Sequence, residues 1–219
     1  MTMLDHLPFA DRLRAGELLA GELEPLRDVP DLIVLALPRG GVPVAFQIAQ
    51  ALHAPLDVFV VRKLGLPHNP EYAVGAIASG GVLVMEPVAG RMVSAEQLQA
   101  IVRRETEELA RRELLYRQGC RPLKLEGKSV LLVDDGVATG ATLQAAVEAV
   151  RKLHPRMLAV AAPVGSVQAA QRLRPLVDLL VFGATPEPFD SVGQWYRQFP
   201  QCSDEEVRSL LTQAQRTPA

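Results

Sequence analysis

The stretch with most chemical content reads Val130-Leu131-Leu132-Val133-Asp134-Asp135-Gly136-Val137-Ala138-Thr139-Gly140-Ala141-Thr142. Four apolar residues deliver two adjacent carboxylates, a turn of small residues follows, and a helix-forming run begins at Ala141. A turn at a helix N-terminus offers several backbone N–H groups, and here also the hydroxyls of Thr139 and Thr142. That combination suits an anion, and a phosphate monoester best. Two carboxylates beside it would repel a bare phosphate, so they need another task. Accepting hydrogen bonds from a diol is one, and helping to hold Mg²⁺ is another. A nucleotide P-loop is excluded, because no Lys lies between Asp134 and Arg151, and GxGxxG is absent. A receiver domain also opens on an apolar strand and an acid pair. Too little chain follows Val130 for one, and the Thr-Gly-Ala-Thr turn would be unexplained.

The elements around this turn alternate. Leu32–Leu37 and Val58–Val61 are short apolar runs, far below the ~20 residues that span a bilayer, and read as strands covered on both faces. Val42–His53 reads as a helix with Pro43 in its tolerated first turn. Residues 62–81 dissolve into Gly, Pro, His and Asn and read as a flexible loop or ribbon. Ser94–Gln118 is a helix opened by a capping box, Ser94 with Gln97. Its charges, spaced four apart, read as a solvated face. Strands at 130–133, 157–164 and 177–182 alternate with helices at 141–153 and 167–173. A last helix starts after Ser203. The pattern predicts an α/β fold with a mostly parallel central sheet.

Length and composition agree. The chain has 219 residues, 48% hydrophobic and 22% charged, which predicts one sizeable domain with a buried core and excludes a disordered chain. A net charge of −2 argues against a general nucleic-acid binder, which needs a basic field. Two cysteines without a CxxC and four scattered histidines offer no metal-ligand spacing. A reducing cytoplasmic setting is the expectation. The first residues lack the apolar core of a signal peptide.

Residues 130–142 resemble the signature of the type I phosphoribosyltransferases: an apolar strand, two acids, then a turn ending in Thr-Gly-x-Thr. The match is closest to the adenine-type members, which also place Ala before Thr-Gly. Gly136 departs, since the family usually has an aliphatic residue there. The resemblance implies the type I fold, with a small hood or insertion, over a core of about 30–165 in a single domain, 1–219. The helical insertion is placed at about 82–125 and the C-terminal extension at about 183–219.

It also implies phosphoribosyl diphosphate and a nucleobase-like small-molecule acceptor as substrates, Mg²⁺ as cofactor, no membrane, and a homodimer. Asp134 and Asp135 would hold the ribose hydroxyls and help bind the metal. Ala138, Thr139, Gly140, Ala141 and Thr142 would fix the 5-phosphate. Pro38-Arg39-Gly40-Gly41 stands where the family binds diphosphate. Gly40 and Gly41 would let the backbone approach an anion and adopt φ > 0, and Arg39 adds a charge-assisted contact. In many members this loop contains a cis peptide. Arg62 or Lys63, after the second strand, would bind diphosphate. Glu71 echoes the proton-transfer residue of adenine-type enzymes; with Ala138 where some members carry an Asp, either Glu71 serves as base or the acceptor needs none. Five of the ten aromatics fall within 182–199, and Trp195 and Tyr196 are the candidates to stack on a flat acceptor. Some members of this fold are instead non-catalytic sensors of phosphoribosyl diphosphate or nucleotides, which stands as the alternative.

Overall fold

The computed structural model describes residues 2–66, 69–85, 93–117 and 123–216, with the backbone alone at 69–73. Five parallel strands form the central sheet: β1 (Leu32–Ala36), β2 (Leu56–Val58), β6 (Ser129–Val133), β7 (Met157–Val164) and β8 (Leu179–Ala184), in the order β2-β1-β6-β7-β8. Every residue of β6 is buried, as are all but the first of β7. That is why these segments are apolar, Ser129 at the start of β6 excepted, rather than alternating. Side chains still alternate by face. Leu131 and Val133 join one core, and Val130 and Leu132 the other.

Helices cover both faces. α1 (Arg12–Glu22), α2 (Gly41–Leu52), α3 (Ala95–Tyr116) and α6 (Asp204–Arg216) place Leu19, Ile48, Leu109 and Val207 in the first core. α4 (Ala141–Arg151) and α5 (Val167–Leu173) place Leu143, Val150 and Leu173 in the second. The capping box at Ser94 and Gln97 forms as expected, and Ser203 accepts a hydrogen bond from the Glu206 amide at 3.1 Å. No helix among the described residues is long and apolar enough to cross a membrane.

Of the two readings of residues 62–81, flexible loop or ribbon, the described residues show the ribbon. Residues 61–85 carry an antiparallel three-stranded sheet, β3 (Val61–Leu66), β4 (Asn69–Ala78) and β5 (Val82–Met85). Register shifts at Leu64/Gly65 and Gly65/Leu66 interrupt the pairing of β3 with β4. An irregular ladder blurs the period-2 pattern by which a ribbon is recognised. The segment expected as a helical insertion therefore opens with a strand, β5, before α3 begins.

Candidate functional site

Parallel α/β sheets bind ligands beyond the carboxyl ends of their strands, where β1 and β6 lie side by side here. The turn after β1 carries Pro38-Arg39-Gly40-Gly41, and the turn after β6 carries the acid pair. The Pro38–Arg39 peptide is cis. The two turns touch. A Cβ on Gly40 would lie 2.0 Å from Asp135 Oδ2, and one on Gly41 would lie 2.7 Å from the Val133 carbonyl oxygen. Close approach is therefore what requires glycine at these positions. The positive φ expected at Gly40 is not used, because its φ is −59°.

The acid pair is electrostatically uneven. Asp134 Oδ1 accepts from the Asp135 amide at 2.9 Å. Burial, and then the neighbouring charge of Asp135, hold the Asp134 carboxyl well above the usual carboxylate range. Asp135 has a cationic partner: Arg12 Nε donates to its Oδ2 at 2.7 Å. Two neighbouring carboxylates fit Mg²⁺, which takes one or two protein carboxylates together with substrate oxygens and water. Among the described residues no group of three or more His, Cys, Asp or Glu forms a rival metal centre.

The phosphate turn is held open by its surroundings. Ser166 Oγ donates to the Ala138 carbonyl at 2.6 Å, and the Ser166 amide to the Val137 carbonyl at 2.8 Å. Gly140 takes φ +75°, the left-handed conformation that favours glycine, and α4 starts directly after it. Thr139 and Thr142 are exposed, and the Ala141 amide donates to Thr139 Oγ1 at 3.4 Å, so both hydroxyls stand with the next first-turn amides of α4 at one helix N-terminus.

The other candidates are placed less uniformly. Arg39 lies 3.6 Å from Asp204 at the start of α6, and Tyr116 of α3 donates its hydroxyl to the same carboxylate oxygen at 2.5 Å. Arg62 is committed elsewhere: its Nη2 and Nε donate to buried Glu105 at 2.7 and 2.9 Å. Lys63, the next residue of β3, is exposed, and successive strand residues face opposite sides. The backbone of Glu71 lies in β4, while its side chain lies outside the described residues. Trp195 closes a short 3-10 turn, Val192–Trp195, and packs on Phe189 with ring centroids 6.0 Å apart. Its indole N–H is buried without a hydrogen-bond partner.

Several residues had no signal in the sequence for the part they play. Arg12 comes from a flank with no motif. Tyr196 donates its hydroxyl to the Asp135 carbonyl oxygen at 2.5 Å, and Val192 fills the space beside Gly136. A Cβ on Gly136 would meet Val192 Cγ1 at 2.3 Å. The glycine that departs from the family pattern thus makes room for an aliphatic side chain brought by the C-terminal segment.

Known proteins agree with this arrangement. A family model described as "Phosphoribosyl transferase domain" matches residues 14–187. Two Mycobacterium tuberculosis sequences, provisionally named phosphoribosyl transferases, are 44% identical over 210 residues and cover 95% of the chain. The chain spans about half the length of those relatives, 47%. The crystal structure of TT1426 from Thermus thermophilus superposes with a TM-score of 0.84 at 42% identity, covering 94% of this chain and 98% of that one. With acid pair, phosphate turn and glycine loop in one place and the match running through all of them, the chain belongs to the phosphoribosyl transferase domain family.

Proposed function

We propose that this chain transfers phosphoribose from phosphoribosyl diphosphate to a nucleobase-like acceptor with release of diphosphate. The observation that carries the reading is the contact between Gly40–Gly41 and the acid pair. The turn read as the diphosphate loop touches the carboxylates read as the diol site, which supports their serving one sugar. Thr139, Thr142 and the amides of Ala138–Ala141 take the 5-phosphate. Asp134 and Asp135 accept hydrogen bonds from the ribose hydroxyls. Arg39 and Lys63 attract the diphosphate, and Mg²⁺ bound beside the acids would add positive charge where the leaving group departs. The C1–O bond to diphosphate breaks, a bond from an acceptor nitrogen forms, and the acceptor loses a proton; Glu71 is the proposed recipient. The ribbon β3–β4 and Trp195 are the proposed walls of the acceptor side, and water exclusion there protects the cationic sugar from hydrolysis.

Titration calorimetry with phosphoribosyl diphosphate and Mg²⁺ tests the reading. Wild-type protein binds in a Mg²⁺-dependent manner, and Asp134→Ala with Asp135→Ala abolishes binding. Equal binding by the double variant would sink the assignment. The same reading carries a cytoplasmic setting and a homodimer, and light scattering on the purified chain checks the latter.

A further inference from the structure

We propose that Arg12 is a positioning residue for Asp135, supplied to the site by the N-terminal helix; the proposal rests on the ribose-binding role given to Asp135 above. The pair is short and sheltered. Nε and Oδ2 are 2.7 Å apart, with side-chain exposures of 12% and 14%. Water screens such a pair weakly, so it is coupled far more strongly than a surface ion pair.

Arg12 is itself fixed at two further points. Its guanidinium carbon sits 3.7 Å from the centroid of the Phe199 ring, and Nη1 donates to the Pro200 carbonyl at 2.8 Å. A planar guanidinium stacked on a ring and tied at two nitrogens has little freedom left. The chain segments that deliver it are laced together. The Phe9 amide donates to the Trp195 carbonyl at 2.8 Å, the Arg197 amide to the Phe9 carbonyl at 2.8 Å, and the Gln198 amide to the Ala10 carbonyl at 3.0 Å.

The consequence for Asp135 is specific. Its carbonyl oxygen accepts from Tyr196, and its Oδ2 accepts from Arg12. The Asp134 carboxyl is the other side chain within hydrogen-bond reach of the Asp135 carboxyl. Asp134 stands next door, its Oδ1 accepting from the Asp135 amide at 2.9 Å. Arg12 fixes Oδ2 and so sets where the Asp135 carboxylate meets a ribose hydroxyl. The residue contacts no substrate in this arrangement; it acts through Asp135.

The test compares two ligands. Phosphoribosyl diphosphate carries ribose, whereas inorganic diphosphate does not. Calorimetry in Mg²⁺ is run on wild type, Arg12→Ala and Arg12→Lys, with thermal unfolding recorded for each. Arg12→Ala is expected to lose at least tenfold in affinity for phosphoribosyl diphosphate while diphosphate affinity changes less than twofold. Arg12→Lys, which keeps the charge and loses the fork, is expected to recover part of the loss. Should Arg12→Ala fail to fold, the same split is read from Arg12→Lys alone. If the affinities for both ligands fall together, or neither falls, Arg12 is only a structural tie and the proposal is overturned. A wild-type protein that does not bind phosphoribosyl diphosphate overturns the underlying reading instead.

Discussion

Substituting Gly40 by alanine isolates the contact between the two turns. The backbone there has φ −59° and ψ −32°, which alanine adopts without strain, so the added methyl acts by its bulk alone. That methyl would sit 2.0 Å from Asp135 Oδ2 and 2.6 Å from its Cγ. Ordinary contact needs about 3.5 Å, so the carboxylate must retreat by roughly 1–1.5 Å. It retreats from a 2.7 Å bond to Arg12. A charge-assisted hydrogen bond of this kind contributes about 1.5–3 kcal/mol. Gly→Ala returns about 0.4–1 kcal/mol through the unfolded chain.

The expected net loss is therefore about 0.5–2.5 kcal/mol. At about 2–4 °C per kcal/mol for a chain this long, Tm falls by about 1–10 °C. Thermal unfolding by circular dichroism measures it. The decisive comparison is the same substitution in an Asp135→Ala background. With the carboxylate gone there is nothing to strike, and Gly40→Ala should become neutral or stabilising by up to about 1 kcal/mol. A cost that persists undiminished in that background would refute the contact as the cause.

Other perturbations follow from the same geometry. Asp134 binds its proton more tightly folded than at its ordinary value of 3.8, so native protein holds more protons above that pH and stability declines as pH rises through the window. Asp134→Asn is therefore more stable than wild type at pH 7, with a gain that shrinks towards zero as pH falls below 3.8 in denaturant titrations. Glu105→Gln weakens the contacts of a buried carboxylate with Arg62 and Arg104. With both arginines partly in water, a loss of about 1–2 kcal/mol is expected in urea unfolding. Trp195→Phe removes an unpartnered buried N–H while keeping an aromatic against Phe189. It should be neutral or stabilising by about 1 kcal/mol, measured in the same way.

The parallel sheet was legible because burial on both faces leaves no polar residues in the interiors of β1, β6 or β7, and apolar runs bounded by Gly and Pro have few other readings. The acid turn was legible because its chemistry is local: strand, carboxylates, small residues and helix start are contiguous. The ribbon β3–β4 was only one of two readings of its stretch, because its bulged pairing spoils alternation. Arg62 looked available for an anion because Glu105, its partner, stands 43 positions away on α3. Arg12 and Asp135 are 123 positions apart. No periodicity or propensity reports a side chain reaching across the fold, and only the packing of α1 beside the 195–200 segment brings the pair together. Gly136 shows both limits at once. It was visible as a departure from the family pattern, but its reason, Val192, lies on a segment with no motif of its own.

The hydroxyl of Tyr196 on the Asp135 carbonyl has a consequence for how the molecule is made. The two residues are separated by 61 positions. At about 5–20 residues per second, a ribosome completes Asp135 about 3–12 s before it completes Tyr196. During that interval the strand bearing the acids can pair with β1, since both have been synthesised. The main chain at Asp135 still lacks its lock, and Arg12 lacks the ring that seats it. The sheet can thus assemble in the order of synthesis, whereas its ligand-binding end waits for almost the last described turn of the chain. A nascent chain arrested before residue 195 would carry the acid pair without a finished site.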